Sequence, residues 1–185
     1  MRIGAIILAA GEAKRFGGNK LTAEIDGKPI IRKVIEASEG LDRVIIVGKY
    51  YQELIRVLED EIVIYNPLWR EGISTSLKLG IRFFQDYDGV IVLLGDMPLV
   101  SKETVNKLTS SFSVECDMVV PTYNGARGNP VILNKRTYGL IMELKGDVGA
   151  RQLLGKVKKV CYIECGKEVV IDVDTPSDLA SVKRP

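Results

Sequence analysis

The sequence predicts an α/β fold in which helices cover both faces of a mostly parallel central sheet. Two patterns support this prediction. Short runs of β-branched residues alternate with amphipathic stretches along the chain, and this alternation is typical of parallel strands joined by helices. The run at 90–94 is apolar at every position, as we expect of a central strand that is buried on both faces.

Eight strands are expected, each from a short run rich in β-branched residues. The first ends abruptly in small residues, and the fourth is followed by a glycine and an aspartate. The predicted strands are 3–8, 44–47, 61–65, 90–94, 118–120, 131–133, 160–163 and 169–173.

Seven helices are expected between and after these strands. The helix at 30–37 has Ile31, Val34 and Ile35 on one side, which is the spacing of an amphipathic helix. The last helix has Thr175 as a cap and Asp178 at the capping-box distance. The predicted helices are 30–37, 51–58, 74–84, 102–112, 135–144, 148–154 and 176–182.

Length and charge limit the classes of function. A chain of 185 residues suggests a single domain, 1–185. Its 26 basic and 24 acidic residues leave a net charge of +2, so we expect neither nucleic acid nor a membrane as a partner. The amino-terminal apolar run is too short for a signal peptide or a membrane span, and a cytoplasmic location is expected.

The three cysteines, Cys116, Cys161 and Cys165, are expected to be small buried side chains. Because their number is odd, we expect them to form no disulfide framework. A zinc site would need a fourth ligand, and the chain contains no histidine.

Ligands of a parallel α/β sheet bind beyond the carboxyl ends of its strands. The first strand ends in LAAGEAKRFGGNK, residues 8–20. Its small residues would let a flat ligand approach the backbone, and its glycines allow a turn whose N–H groups point at an anion. Arg15 and Lys20 add positive charge for phosphate oxygens. Neither GxxxxGK[ST] nor GxGxxG is present, so phosphate binding and an ordinary solvated turn both stay open.

Two further strand ends carry carboxylates. Asp96 follows the apolar run 90–94, where it could hold Mg²⁺ together with substrate phosphates or could be a turn residue bonded to nearby amides. Asp172 and Asp174 are two residues apart and would point the same way from a strand. Asp174 is therefore either a second metal ligand or the end of the turn before Thr175.

The segment NPLWREGISTSLKLG places small and polar residues at the start of a predicted helix. The side chains or amides of Asn66, Gly72, Ser74 and Ser76 could recognise the edge of a nucleobase. Trp69 could cover a ring or could simply pack in the protein. By itself the segment indicates only the amino terminus of a helix.

Six segments together resemble the MobA/MocA-like nucleotidyltransferases. They occur in order along most of the chain, and the combination is more specific than any one of them. The start LAAG is most similar to the molybdenum cofactor cytidylyltransferases, since guanylyl-transferring members more often have LAGG. The segments are LAAGEAKRFGGNK, NPLWREGISTSL, GDMP, GNPV, GDVGARQLL and DVDTPSDL.

This resemblance implies a Rossmann-like three-layer sandwich of the nucleotide-diphospho-sugar transferase type. The amino-terminal half would bind the nucleotide and the carboxyl-terminal half the acceptor. The implied reaction is Mg²⁺-dependent transfer of CMP from CTP to the terminal phosphate of molybdenum-bound molybdopterin, with release of pyrophosphate. A molybdoenzyme or its chaperone would receive the product. The alternatives are GTP as the donor, a sugar or polyol phosphate as the acceptor, or a non-catalytic nucleotide-binding module.

The resemblance also implies roles for individual residues. Lys20, Arg15 and Asp96 would be catalytic, and Asp96 with Asp174 would hold Mg²⁺. The nucleotide would be bound by Leu8, Ala9, Ala10, Gly11, Arg15, Lys20, Gly72, Ser76 and Asp96. The acceptor would be bound by Gly128, Asn129, Pro130, Asp147 and Arg151. Many cytidylyltransferases of this type have His at the position of Asn129.

The chemistry of the implied reaction suits a chain without histidine. The attacking phosphate is already ionised at neutral pH, so no general base is required. Catalysis then needs positioning and charge neutralisation. Lys20 would stabilise the charge that develops at phosphorus, and Arg15 would stabilise the pyrophosphate that leaves.

Overall fold

The computed structural model describes residues 1–183, which form ten strands and six α-helices joined by loops and short 3-10 helices. The strands are β1 (Ile3–Ala9), β2 (Glu24–Ile25), β3 (Lys28–Pro29), β4 (Asp42–Val47), β5 (Val63–Tyr65), β6 (Gly89–Leu94), β7 (Met118–Tyr123), β8 (Ala126–Arg127), β9 (Val131–Asn134) and β10 (Val160–Glu164). The helices are α1 (Ile30–Ala37), α2 (Tyr51–Leu54), α3 (Ile73–Phe83), α4 (Lys102–Ser110), α5 (Tyr138–Met142) and α6 (Pro176–Val182). The last two residues of the expected domain 1–185 lie outside the described part.

The central sheet has the order β10-β7-β9-β6-β1-β4-β5, and β8 pairs with β7 at one end. β1 is parallel to both of its neighbours, β4 and β6, and β9 is antiparallel to β6 and β7. The mostly parallel sheet predicted from the sequence is confirmed. Because β1 and β6 are parallel, their carboxyl ends meet at the same edge of the sheet, with Leu8 opposite Leu94.

Alternate residues of β1 divide the core into two layers. Ile7 packs in the layer that contains α1 and α4, with Ile31 as one of its buried members. Ile6 packs in the layer that contains α3 and α5, with Leu77. Gly80 lets α3 approach β1 closely, since a Cβ there would lie 2.6 Å from the Ile6 side chain. Both faces of the sheet are therefore covered, as the apolar strands predict.

The predicted strand at 169–173 is wrong. The chain forms a 3-10 helix at Lys167–Val170 and then runs extended without pairing in the sheet. Isolated hydrogen bonds fix it instead: the Asn129 N–H donates to the Val169 carbonyl, and the Val173 N–H donates to the Asp96 carbonyl. These contacts carry the segment past the carboxyl end of β6 and position the residues that follow Val173.

Other differences concern the type and length of elements. The predicted helix 148–154 is a 3-10 helix at Ala150–Gly155, and the predicted helix 135–144 starts as a 3-10 turn before α5. The predicted helix 51–58 divides into α2 and a 3-10 turn. The β2–β3 and β7–β8 hairpins were not predicted, although Asp-Gly and Asn-Gly at their turns are typical hairpin signals. By contrast, α6 has the predicted capping box.

A disulfide joins Cys116 and Cys161, which are 45 residues apart, with their Cα atoms separated by 5.8 Å. The expectation of three unpaired cysteines is wrong, because an odd number excludes complete pairing but allows one bridge. Cys161 lies opposite Val119 in the β10–β7 ladder, so the loop before β7 brings Cys116 next to it. Cys165 is unpaired within residues 1–183.

No helix in the described range 1–183 combines the length and the apolar character needed to cross a membrane.

Reduction of the disulfide is expected to destabilise the protein. A bridge that closes a loop of 45 residues restricts the unfolded chain by about 4 kcal/mol in the chain-entropy model, and a domain of this size loses roughly 10 °C in melting temperature for such a change. Calorimetry with and without a phosphine reductant measures the shift. Cys165→Ser is the control and should melt like the wild type. Three reactive thiols in the unreduced, denatured protein would show that the bridge does not form.

Candidate active site

The loop after β1 and the residues after β6 are held together by the backbone. The Gly95 N–H donates to the Leu8 carbonyl at 2.9 Å, and a Cβ at Gly95 would lie 3.0 Å from that oxygen. Asp96 follows directly, so its carboxylate emerges beside the end of β1. The loop closes with a 3-10 helix at Lys20–Thr22, which the Asn19 side chain caps by accepting from the Leu21 N–H. Lys20 therefore stands at a fixed position facing Asp96.

Lys20 lies at the centre of an ion cluster. Its Nζ is 2.7 Å from Asp96 Oδ2 and 2.7 Å from Asp174 Oδ1. The Arg15 guanidinium donates to the other oxygen of Asp174. The Lys20 side chain is only 12% exposed, whereas that of Arg15 is 73% exposed. The structure thus brings together, from three distant parts of the chain, four residues that we predicted for phosphate and metal binding.

The cluster raises the pKa of Lys20 and lowers the pKa of Asp174. Burial by itself would lower the pKa of Lys20, but the charges and hydrogen bonds of Asp96 and Asp174 outweigh it, and the pKa is raised. The hydrogen bond from Lys20 lowers the pKa of Asp174, and the charges of Lys20 and Arg15 add to the effect. Lys20 and Asp174 are therefore both charged at neutral pH.

Asp172 is the third carboxylate at this place. Asp96, Asp172 and Asp174 each have one oxygen within 4.8 Å of the others, an arrangement that could hold a metal ion. Burial, followed by the nearby charges of Asp174 and Asp96, raises the pKa of Asp172. The sequence placed Asp172 and Asp174 together by assuming a strand, whereas the structure brings them together in extended chain after the 3-10 helix at Lys167–Val170.

The cluster borders a cleft of about 770 Å³, which is within the usual size range of small-ligand sites. Eight of the nine residues predicted for the nucleotide line it, and Arg15 reaches Asp174 from beside this lining. Those eight are Leu8, Ala9, Ala10, Gly11, Lys20, Gly72, Ser76 and Asp96.

Asn66 supports the cleft wall from behind. It is 1% exposed, its amide donates to the hydroxyls of Thr75 and Ser76 at 2.8 Å each, and its carbonyl oxygen accepts from the Leu68 N–H. The Ser74 hydroxyl similarly donates to a backbone carbonyl, that of Gly146. These polar groups hold the segment before and within α3 in place.

Gly72 joins this wall to a distant turn. Its φ is +106°, a backbone conformation that favours glycine, and a Cβ would lie 2.2 Å from the Gly146 carbonyl carbon. The neighbouring Asp147 accepts from the Ile73 N–H, the first of α3, at 3.3 Å. Asp147 also lines the cleft. A residue predicted for the acceptor therefore lies in the same wall as residues predicted for the nucleotide.

The other residues predicted for the acceptor do not line the cleft. Gly128, Asn129 and Pro130 are buried, and only Arg151 is exposed. Gly128 is packed against the Val169 backbone, and the Asn129 N–H donates to the Val169 carbonyl. Arg151 donates to the Arg127 carbonyl at 3.3 Å.

Arg70 is a cleft residue that the sequence analysis missed. Its guanidinium lies 4.5 Å from the centre of the Trp69 ring, and both residues line the cleft. The signal available in the sequence was its position next to Trp69. Arg70 adds positive charge to the lining of the cleft.

Gly72→Ala is expected to lower stability by about 2–4 kcal/mol. The new Cβ would impose an unfavourable φ and would collide with backbone of the 146–147 turn. The melting temperature should fall by roughly 5–10 °C. Gly149→Ala, where a Cβ would meet only the Ile73 side chain at 3.9 Å, should melt like the wild type. Equal melting temperatures for the two variants would contradict the close approach at Gly72.

Asp172→Asn and Asp174→Asn are expected to change stability in opposite directions at pH 7 in EDTA. The raised pKa of Asp172 means that its ionised form destabilises the fold, so Asp172→Asn should raise the melting temperature. The lowered pKa of Asp174 means that its ionised form stabilises the fold, so Asp174→Asn should lower the melting temperature.

The effect of Asp172→Asn should disappear first as the pH falls, below about pH 4, because the raised pKa lets this carboxylate take up its proton at a higher pH. The effect of Asp174→Asn should persist to lower pH, because the lowered pKa keeps that carboxylate ionised. Thermal melts at intervals from pH 7 to about pH 3 test this order. A change of the same sign in both variants at pH 7 would contradict the described electrostatics.

Comparison with known proteins identifies relatives over most of the chain. It is 31% identical over 198 aligned residues to a probable molybdenum cofactor guanylyltransferase of Thermococcus gammatolerans, covering 98% of this chain and 99% of that protein. It is 27% identical over 168 aligned residues to the bifunctional protein GlmU of Thermosipho africanus, covering 88% of this chain. The chain spans only 37% of the length of that second relative.

Solved structures share the fold at low sequence identity. Rv0371c from Mycobacterium tuberculosis H37Rv superposes with a TM-score of 0.86 at 22% identity, covering 98% of this chain and 97% of that chain. A second structure of that protein, in complex with manganese, gives a TM-score of 0.82 at 20% identity, covering 98% of each chain. The Rossmann-like sandwich expected from the sequence is confirmed. A family model described as the MobA-like NTP transferase domain matches residues 5–160, and the chain therefore belongs to that family.

Proposed function

We propose that this nucleotidyltransferase moves CMP from CTP to the terminal phosphate of a molybdopterin-type acceptor and releases pyrophosphate. The observation that carries the proposal is the position of Lys20 and Asp96 within 2.7 Å of each other at the cleft, beside the small residues that follow β1. The charges needed for a triphosphate and the space for a nucleotide are thus adjacent.

The nucleotide would enter between the loop after β1 and the start of α3. The backbone at Ala9, Ala10 and Gly11 lets the base and ribose approach closely, while Gly72 and Ser76 form the facing wall. The triphosphate would extend toward Lys20 and Arg15, the two cations of the ion cluster. This orientation pairs the phosphates with the fixed positive charges.

The donor set fits a divalent metal ion such as Mg²⁺. Asp96 Oδ1 is buried and has no hydrogen-bond partner within residues 1–183, and such an orphaned oxygen is a suitable ligand for a hard cation. Asp96 and Asp174 would hold the ion, which would neutralise charge on phosphate oxygens. The manganese complex of a protein of the same fold supports a divalent metal as the cofactor.

The residues of the chain supply positioning and charge. The acceptor phosphate oxygen attacks the α-phosphorus of the nucleotide, and the bond from that phosphorus to the bridging oxygen of pyrophosphate breaks. Because the attacking phosphate is ionised at neutral pH, no side chain has to accept a proton. The reaction is therefore compatible with a chain that contains no histidine. Lys20 stabilises the negative charge that increases in the transition state, and Arg15 stabilises the departing pyrophosphate.

GTP is a second candidate donor. The start LAAG favours CTP, whereas the Thermococcus gammatolerans relative is named a probable guanylyltransferase. The acceptor would contact Asp147 at the cleft and the exposed Arg151, and the buried Gly128, Asn129 and Pro130 would support its site from within the protein. A molybdoenzyme or its chaperone would take the product.

A cytoplasmic location is part of the proposal, because nucleoside triphosphates are made there. The disulfide between Cys116 and Cys161 would then have to persist in a reducing compartment, as disulfides do inside hyperthermophiles.

Release of pyrophosphate tests the donor and the acceptor together. The protein is incubated with Mg²⁺ and each of CTP, GTP, UTP and ATP, with and without extracted molybdopterin. Release that depends on both CTP and the pterin supports the proposal, and release with GTP selects the second candidate. Nucleotide binding without any release would contradict an enzymatic function.

Lys20→Met is expected to lower kcat by about 10²–10³-fold, with a much smaller change in nucleotide affinity, because its charge matters most in the transition state. Lys28→Met is the matched control. Lys28 pairs with Glu36 on the surface, away from the cleft, and its variant should keep wild-type kcat. An unchanged kcat in Lys20→Met would exclude a catalytic role for this lysine.

A further inference from the structure

We propose that Lys20 and Arg15 are the resident counter-ions of the Asp96–Asp174 pair in the nucleotide-free protein, so that a divalent metal binds well only together with a nucleoside triphosphate. This inference rests on the proposed function for the identity of the nucleotide. It goes further by stating that Lys20 and Arg15 must move from the carboxylates to the triphosphate before the metal ion can bind the carboxylates.

Three of the four carboxylate oxygens of the pair are already occupied by cations of the chain. Asp96 Oδ2 and Asp174 Oδ1 both accept from Lys20 Nζ at 2.7 Å. Asp174 Oδ2 accepts from Arg15. Within the described residues, this leaves Asp96 Oδ1 as the one oxygen of the four that lacks a partner.

A metal ion and the ammonium of Lys20 compete for the same oxygens. Mg²⁺ requires ligand oxygens at about 2.0–2.1 Å, and an ammonium that already lies 2.7 Å from two of them would remain beside the dication. The repulsion between these charges is screened only weakly by bulk water, because the Lys20 side chain is only 12% exposed. A free metal ion must therefore displace Lys20 before it can use both carboxylates.

Displacement is unfavourable unless Lys20 finds a new acceptor. A mostly buried ammonium that loses both carboxylates would be left without a partner, and such a group strongly destabilises the folded state. A triphosphate in the cleft offers anionic oxygens to Lys20 and to the more exposed Arg15. The nucleotide thus releases the carboxylates for the metal, and the metal in turn increases nucleotide affinity by the same factor.

The same exchange explains how three carboxylates coexist in the free protein. The oxygens of Asp96, Asp172 and Asp174 approach within 4.8 Å of one another, and like charges at this distance repel. Lys20 and Arg15 balance two of the three negative charges until the substrate arrives.

Mn²⁺ binding without any acceptor tests the inference. The free Mn²⁺ signal in electron paramagnetic resonance is titrated with wild-type protein and with Lys20→Met at pH 8, first alone and then with CTP. We expect Lys20→Met to bind Mn²⁺ alone at least about tenfold more tightly than the wild type, a difference of about 1.4 kcal/mol. CTP should increase Mn²⁺ affinity strongly in the wild type and much less in Lys20→Met.

Lys28→Met, which removes an exposed lysine paired with Glu36, is the control and should bind Mn²⁺ like the wild type. If Lys20→Met fails to give a folded protein by thermal melting, Arg15→Met replaces it. That variant should also gain Mn²⁺ affinity, by a smaller factor, because Arg15 is 73% exposed.

Equal Mn²⁺ affinities of wild type and Lys20→Met in the absence of nucleotide would overturn the inference, as would the absence of Mn²⁺ binding in both. Because no acceptor is present, these results do not depend on the transfer reaction. A gain of Mn²⁺ affinity in Lys20→Met combined with no pyrophosphate release from any nucleotide would leave this inference standing and would remove only the proposed function.

Discussion

The bond that organises the site is the paired contact of Lys20 Nζ with Asp96 and Asp174, at 2.7 Å each. It links three parts of the chain: the loop after β1, the end of β6 and the segment before α6. Each carboxylate would be unfavourable there without the lysine, since the group is partly buried and other carboxylates lie close to it. The geometry of the proposed catalytic centre therefore depends on a charge balance as much as on the backbone that presents it.

The sheet makes this contact possible because it places unrelated residues at one edge. β1 and β6 are adjacent and parallel, so the loop that contains Lys20 and the turn that contains Asp96 leave the sheet side by side. Asp174 arrives differently, through an extended segment anchored by the Val173 N–H on the Asp96 carbonyl. The parallel sheet thus positions Lys20 and Asp96, and one backbone hydrogen bond positions the segment that carries Asp174.

The sequence pattern of a short segment was sufficient to predict elements whose determining residues all lie within that segment. The apolar run of β6 and the capping box of α6 are complete within their own segments, and the strand-end rule located Lys20 and Asp96. Contacts with distant residues decided the rest. The segment at 169–173 has the residue pattern of a strand, but its backbone bonds to Asn129 and Asp96. Both partners are about 40 or more residues away along the chain, so the local pattern cannot reveal them. The disulfide likewise depends on the register that places Cys161 opposite Val119.

The nucleotide half and the acceptor half that we expect from the sequence are in direct contact in the structure. Gly72 belongs to the first half and Gly146 to the second, yet their backbones are so close that a side chain at Gly72 cannot fit between them. Asp147 accepts from the first N–H of α3 and lines the cleft. An acceptor that moves the 146–147 turn would therefore also move the wall against which we place the nucleotide. Coupling between the two substrates would follow from this contact, with no hinge between separate domains.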